Sequence, residues 1–325
     1  MTSDIVELVP VEATANLQAD FDDWGCTVHF GQDVPAFLGE RAPDRIADWR
    51  RAARDGSPLG RILYGECIAE GVETDRNAAA AYELFHSVAR EDYLEGMWLT
   101  GECLLDGAGA PRDRKAALHW FEKAAGGEFA PAEYSLGLMH LDGTVVRPDA
   151  LAAAEWFLKS ANRGYVPAQT KLGKMLLRGE KLKQDVAFGL ELLERAAKRG
   201  YAKAQLALGA WYYEPLVGPP NPRESFRWYR EGAKNGCADS MFRIGLMNEN
   251  AIGMMRDERE AAEWYVKAAV AGHVEAAYRV GKFYFGGIVL PFDPPEGLRW
   301  LKFATLKGHP EAAREYARRT APKDD

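Results

Sequence analysis

The chain is poor in several things, and each shortage excludes something. Four cysteines in 325 residues, Cys26, Cys67, Cys103 and Cys237, make no disulfide framework. Cys67 and Cys103 stand 36 positions apart, at equivalent places of a repeated pattern. Neighbouring helix axes pack about 8–10 Å apart, whereas a disulfide needs Cα atoms within about 7 Å, so reduced thiols are expected. No stretch approaches the roughly 18 apolar residues of a membrane helix, which argues against direct membrane insertion. The opening MTSDIVELVPVEA lacks the basic start and apolar run of a secretory leader, so cytoplasmic residence is expected. Basic residues are in deficit, 41 Lys and Arg against 48 Asp and Glu, for a net charge of −7 and a pI near 5.6. Phosphate backbones demand a basic surface, and nucleic acid is therefore not an expected partner.

Catalytic signatures are missing as well. The sequence holds no HExxH, no GxSxG, no GxxxxGK[ST] and no SxxK. Its six histidines are dispersed. Cys67, Cys103 and His140 occupy adjacent columns on successive helices, but metal bonds of about 2.0–2.3 Å require ligands to converge. No metal, no cofactor and no catalytic residue is expected.

What the chain has in abundance is itself. Gly65, Gly101, Gly137, Gly173, Gly209, Gly245 and Gly281 follow one another at intervals of 36. Asn77, Asp113, Asp149, Asp185, Asn221, Asp257 and Asp293 make a second column, and Leu84, Trp120, Trp156, Leu192, Trp228, Trp264 and Trp300 a third. Self-similarity at such a period marks a solenoid, whose units bury their apolar faces against neighbours. Within the unit starting at Ala132, apolar spacings of three and four give two helices. Helix A runs roughly from Ala132 to Leu141; Gly143 and Pro148 then break the pattern. Asp149 is placed to accept backbone N–H bonds at the start of helix B. That helix ends where Gly164 can adopt the left-handed cap conformation. Glycine inside a helix costs about 1 kcal/mol against alanine, so seven such glycines imply close approach of a neighbouring backbone.

Outside the period, Ile5, Val6, Leu8, Val9 and Val11 read as extended, while Leu17, Phe21 and Trp24 suit one face of a short helix. This segment reads as a cap over the open end of the stack, or as an arm that docks in the protein's own groove or on a partner. The expected division is an N-terminal extension over 1–41, a half repeat with a single B helix over 42–56, seven repeats over 57–310, and a capping helix with tail over 311–325. The loops EPLVGPPNP and GGIVLPFDPP are stiffened by proline and leave Leu216, Val217 and Phe292 as candidate contact points.

In PAEYSLGLMHLDG…PDALAAAEWFLKSANRG and VEAAYRVGKFYFGG…PPEGLRWLKFATLKG the chain resembles the Sel-one-like repeat family, relatives of the tetratricopeptide repeats. The resemblance implies an all-α fold, a right-handed α-solenoid of seven helix-turn-helix units. It also implies adaptor proteins that bind other proteins without catalysis. A cysteine-rich branch of the family has been linked to β-lactam binding and staples the two helices of a single repeat; this chain departs from it, since no repeat here holds two cysteines. If the geometry resembles tetratricopeptide stacks, A helices line a concave wall, and the position three before the column glycine faces the groove. That position reads Ile62, Trp98, Tyr134, Thr170, Leu206, Phe242 and Tyr278. Glu66, Glu70, Glu102 and Asp106 flank the early part of this ladder; Lys171, Lys174, Arg178, Arg243, Arg279 and Lys282 flank the later part. The expected function is a non-enzymatic scaffold that takes a peptide segment or partner helix in the groove through Trp98, Tyr134, Leu206, Phe242 and Tyr278, with the cations receiving acidic groups. The alternatives are a receptor for a small ligand or glycan fragment and a β-lactam-binding hydrolase-like protein.

Overall fold

The computed structural model describes residues 11–29, 34–143, 145, 147–179 and 181–321. Among them are seventeen α-helices and no strand. No helix of the described residues is long and apolar enough to cross a membrane. Contacts divide the chain into two compact units that meet between Gln184 and Asp185.

The first unit contains α1 (Val11–His29), α2 (Val34–Arg54) and then alternating A and B helices: α3 (Pro58–Glu70), α4 (Ala78–Ala89), α5 (Leu94–Asp106), α6 (Arg114–Gly126), α7 (Ala130–Asp142), α8 (Ala150–Asn162) and α9 (Val166–Arg178). The second unit continues with α10 (Val186–Lys198), α11 (Ala202–Tyr213), α12 (Pro222–Lys234), α13 (Ala238–Glu249), α14 (Glu258–Val270), α15 (Val274–Gly286), α16 (Pro294–Leu306) and α17 (Pro310–Thr320). Odd-numbered helices from α3 onward are A helices. In each unit successive helices pack on one another, which is the α-solenoid arrangement.

Each column has a physical duty. The carboxylate of Asp149 accepts the N–H groups of Leu151 and Ala152 at 2.9 and 3.0 Å, and the Asp or Asn of every other repeat caps its own B helix in the same way. Beyond the B helix the chain turns through positive φ, at Gly164 with 87°. Asp92 and Glu128 occupy the equivalent places with φ of 63° and 65°, a conformation L-residues adopt at some strain.

The glycine column corrects one expectation. A Cβ at Gly137 would lie 2.5 Å from the ring of Phe157, and Gly65, Gly101, Gly209 and Gly245 face Phe85, Phe121, Tyr229 and Tyr265 as closely. What comes near is therefore a side chain of the following B helix, not a neighbour's backbone. Phe121, Phe157 and Tyr265 are fully buried, whereas Trp120, Trp156 and Trp264, one residue earlier, are only half-buried.

Outside the period the helices are longer than anticipated. Val11, read as extended, opens α1, because Pro10 restricts the residue before it rather than the one after; Ile5 to Val9 lie outside the described residues. Helix α2 starts at Val34 rather than near 42 and carries Pro43 inside it. Gly39, whose carbonyl loses its N–H partner there, is an exposed residue, while Leu38 and Ala42 are buried.

Candidate partner-binding face

The column glycine and the residue before it, such as Leu136, are sealed against the B helices. Three residues earlier along each A helix the side chain lies at the margin of that face, Tyr134 and Phe242 still coming within 5.4 Å of the Phe157 and Tyr265 rings. Trp98, Tyr134, Leu206, Phe242 and Tyr278 are all half-buried, and Ile62 and Thr170 are buried. Each aromatic member rests on the residue that starts the next A helix. Trp98 meets Phe129 at 6.0 Å between centroids, Tyr134 meets Tyr165 at 5.4 Å, Phe242 stacks on His273 at 4.2 Å and Tyr278 lies 4.6 Å from His309. The ladder is thus held from below and open above.

In the first unit the polar groups beside the ladder are acidic, Glu66 and Glu102 half-buried and Glu70 and Asp106 exposed. Trp98 Nε1 donates to Ser135 Oγ at 3.3 Å, and Ser135 Oγ donates to Glu102 Oε1 at 2.7 Å. Burial raises the Glu102 pKa, the hydrogen bonds from Ser135 and Trp98 opposing it and the charge of Asp106 adding to it. Burial, reinforced by the charge of Glu70, pushes Glu66 to about 7. The thiols next door follow: burial, reinforced by Glu66 and Glu73 at Cys67 and by Glu66, Glu102 and Asp106 at Cys103, pushes both to about 12, far from thiolate chemistry at neutral pH. At the other end of this unit the sign changes. Lys171, Lys174, Arg178 and Lys181 line a cavity of about 200 Å³ with Leu141 and Met175.

In the second unit Arg243 is exposed and Lys282 Nζ sits 5.5 Å from the Tyr278 ring centre. Arg279 is engaged, donating to Glu249 at 2.7 Å and to Glu275 at 3.0 Å. Tyr265 Oη also donates to Glu249, at 2.5 Å. Burial alone would raise Glu275, but hydrogen bonds from His309 and Arg279 outweigh it and hold its carboxyl below the ordinary value. His273 Nδ1 accepts the Ala276 N–H and His309 Nδ1 accepts the Ala312 N–H, so both imidazoles cap A helices through an unprotonated nitrogen. Burial lowers the pKa of His273. Among the described residues no three His, Cys, Asp or Glu side chains gather as a metal site would require. Leu216, Val217 and Phe292 are exposed.

The model of the Sel1 repeat matches the chain seven times, over residues 58–93, 94–126, 130–165, 166–201, 202–237, 238–273 and 274–309. The chain belongs to the Sel1 repeat family. Among solved structures, a Sel1 repeat protein from Oxalobacter formigenes is similar over 94% of this chain and 88% of its own, at 25% identity and a TM-score of 0.65. The protective antigen c5321 of uropathogenic Escherichia coli, with an SLR fold, is similar at 24% identity and a TM-score of 0.57, over 94% of this chain and 64% of its own. No curated protein matches the sequence. Sel1 repeat proteins are in general non-catalytic scaffolds for protein interaction.

Two features of these Sel1 repeats are not obvious in the columns. One is the seat under the ladder, formed by Phe129, Tyr165, Tyr201, Cys237, His273 and His309; its aromatic and imidazole bias is legible only once the helix starts are fixed. The other is a clasp between an A helix and the end of a B helix, 30 residues away. Arg61 donates to Glu91 at 2.8 Å, Arg163 to Glu133 at 3.1 Å, and Asn235 to Gln205 at 2.9 Å. The first two pairs are charge-reversed versions of one contact, and that reversal at fixed spacing is the signal that reveals it.

Proposed function

We propose that this protein is a non-enzymatic scaffold that binds another protein, as a peptide segment or a partner helix, along its A-helix faces. The observation that carries this reading is the partly open aromatic ladder at the edge of the core face. A helix in a stack needs one apolar face for its core, and here Leu136-type and Gly137-type positions supply it. Trp98, Tyr134, Leu206, Phe242 and Tyr278 widen that face past the core, packing on its edge while staying partly open, and aromatic surface of this kind serves recognition. Lys171 and Lys174 in the first unit and Arg243 and Lys282 in the second would receive acidic side chains or a terminal carboxylate; Arg279, held by Glu249 and Glu275, would position the ladder rather than meet a ligand.

A random peptide library displayed on phage and selected on the full chain tests this. Enriched peptides should combine acidic with apolar residues. They should lose at least tenfold in affinity, about 1.4 kcal/mol, on Phe242→Ala/Tyr278→Ala and on Arg243→Glu/Lys282→Glu, with helicity by circular dichroism unchanged. Peptides that bind these variants as tightly as the wild type would refute the assignment.

A further inference from the structure

The A-helix face of the first unit changes sign at α9. Column by column, Glu66 and Glu102 give way to Lys174, and Glu70, Asp106 and Asp142 give way to Arg178. Helices α3, α5 and α7 each carry at least two acids, whereas α9 carries Lys171, Lys174 and Arg178 and no acid at all. From Val166 to Lys183 the sequence has five cations against one carboxylate, Glu180, which lies outside the described residues. That run stands in a chain whose net charge is −7.

Lys171, Lys174 and Arg178 are three and four residues apart, on one stripe of α9. With Lys181 from the turn that follows, they border a solvent-open cavity of about 200 Å³, completed by Met175 and by Leu141 of α7. Of the described residues no carboxylate lines it, and among them Lys171, Arg178 and Lys181 have no ion-pair partner. Like charges at these spacings destabilise a helix. Arg178 lies in the last turn, where the helix dipole favours a cation, but that effect does not reach back to Lys171. A surface kept only for solubility mixes its signs; this one gathers four of one sign. The cavity is smaller than the roughly 300–1,000 Å³ of sites that enclose a small molecule, so it suits a single functional group of a larger ligand. A carboxylate would bring one charge. A phosphate monoester brings nearly two and three acceptor oxygens, which match a guanidinium fork set among ammonium groups. A second copy of the chain is a poor source of such charge, because its Glu66 and Glu102 are half-buried and held toward the neutral acid. We infer that Lys171, Lys174, Arg178 and Lys181 form a receptor site for a phosphate monoester, presented as phosphoserine or phosphothreonine on a partner segment lying along the A-helix face. The inference rests on reading that face as a binding surface and specifies the ligand of its first-unit cations.

The probe is an array of random peptides, each synthesised with serine, glutamate or phosphoserine at its centre and overlaid with the labelled full chain. The tightest phosphoserine peptides, titrated by fluorescence anisotropy, should bind at least tenfold more tightly than their glutamate and serine counterparts. That comparison needs no variant and decides on its own: phosphoserine no better than glutamate overturns the inference. Lys171→Gln/Lys174→Gln/Arg178→Gln, with helicity by circular dichroism unchanged, should erase the preference, whereas Arg243→Glu/Lys282→Glu in the second unit should leave it intact. A preference that survives the triple substitution places the site elsewhere and refutes the assignment. Inorganic phosphate or a single-stranded oligonucleotide that competes at the peptide's own affinity would make a free anion or a nucleic acid the ligand, and salt-sensitive self-association lost in the triple variant would make a second copy the occupant; each refutes the proposal. Glutamate peptides that bind as well as phosphoserine ones, and are lost on the same substitutions, would leave the docking surface standing while the phosphate preference falls. A failed docking surface would instead show as peptides insensitive to both sets of substitutions.

Discussion

At the scale of single residues, the repeat is kept by a fit between a missing side chain and a ring. Gly137 leaves room for Phe157, whose ring would stand 2.5 Å from an added Cβ. Ring and helix are both packed, so neither yields cheaply. Gly137→Ala should therefore destabilise the chain by about 1–3 kcal/mol, the usual penalty of overpacking, in spite of alanine's better helix propensity. The protein itself indicates the remedy. Gly281 faces Leu301 with a closest approach of 3.0 Å, looser than any of the aromatic pairs. Gly137→Ala combined with Phe157→Leu should recover part of the loss in urea denaturation. A double variant no more stable than the single one would show that the glycine serves some purpose other than housing the ring.

At the scale of elements, the helices and their caps were legible because their causes are local. An Asp or Asn in front of each B helix, a positive-φ residue behind it and apolar spacings between them act within a few residues, so one sequence displays them seven times. The clasps, the seat under the ladder and the course of α1 depend on partners about 30 or more residues away and surface only in three dimensions. Helix α1 was read as a face of Leu17, Phe21 and Trp24, but nothing local says that it reaches α7. The clasp between α7 and the end of α8 makes the point experimentally. Glu133 is buried and Arg163 is its partner, whereas Arg61 and Glu91 hold the equivalent places with charges exchanged. Glu133→Arg alone sets two cations together and should destabilise the chain measurably, by less than a fully buried pair would because Arg163 is partly exposed. Adding Arg163→Glu restores an opposite-charge pair and should recover part of it, the remainder being lost because Glu128, which also pairs with Arg163 at 2.8 Å, has Gly56 as its counterpart in the first repeat. Chemical denaturation of the three variants checks this, and failure of the exchange to rescue would mean the contact is fixed by its surroundings rather than by charge.

At the scale of the molecule, the two units are electrostatically of opposite temper. The carboxylates with resolved shifts are raised in the first unit, Glu66 and Glu102, and lowered in the second, Glu275 and Glu315. For Glu66 the fold prefers the protonated acid. Its stabilising share is complete below the ordinary 4.5 and is lost as pH rises toward about 7. Glu102 has the same sign. His273 works the other way, since burial lowers its pKa beneath the ordinary 6.5 and its Nδ1 must stay free to cap α15. Its share is complete above 6.5 and fades as pH falls through the lowered value, and the depressed Glu275 adds to the loss further down. Between pH 5.5 and 7.5 the first unit should therefore lose stability while the second gains it. Hydrogen exchange, corrected for the intrinsic pH dependence of amide chemistry, should show protection falling in α3 and α5 and rising in α15 and α17 over that interval. Glu66→Gln with Glu102→Gln should flatten the first trend without touching the second, and His273→Asn, which keeps a capping oxygen, should flatten the second without touching the first. If both units instead moved together with pH, with either variant in place, the titrating groups would lie elsewhere and the division of labour drawn from these side chains would fail.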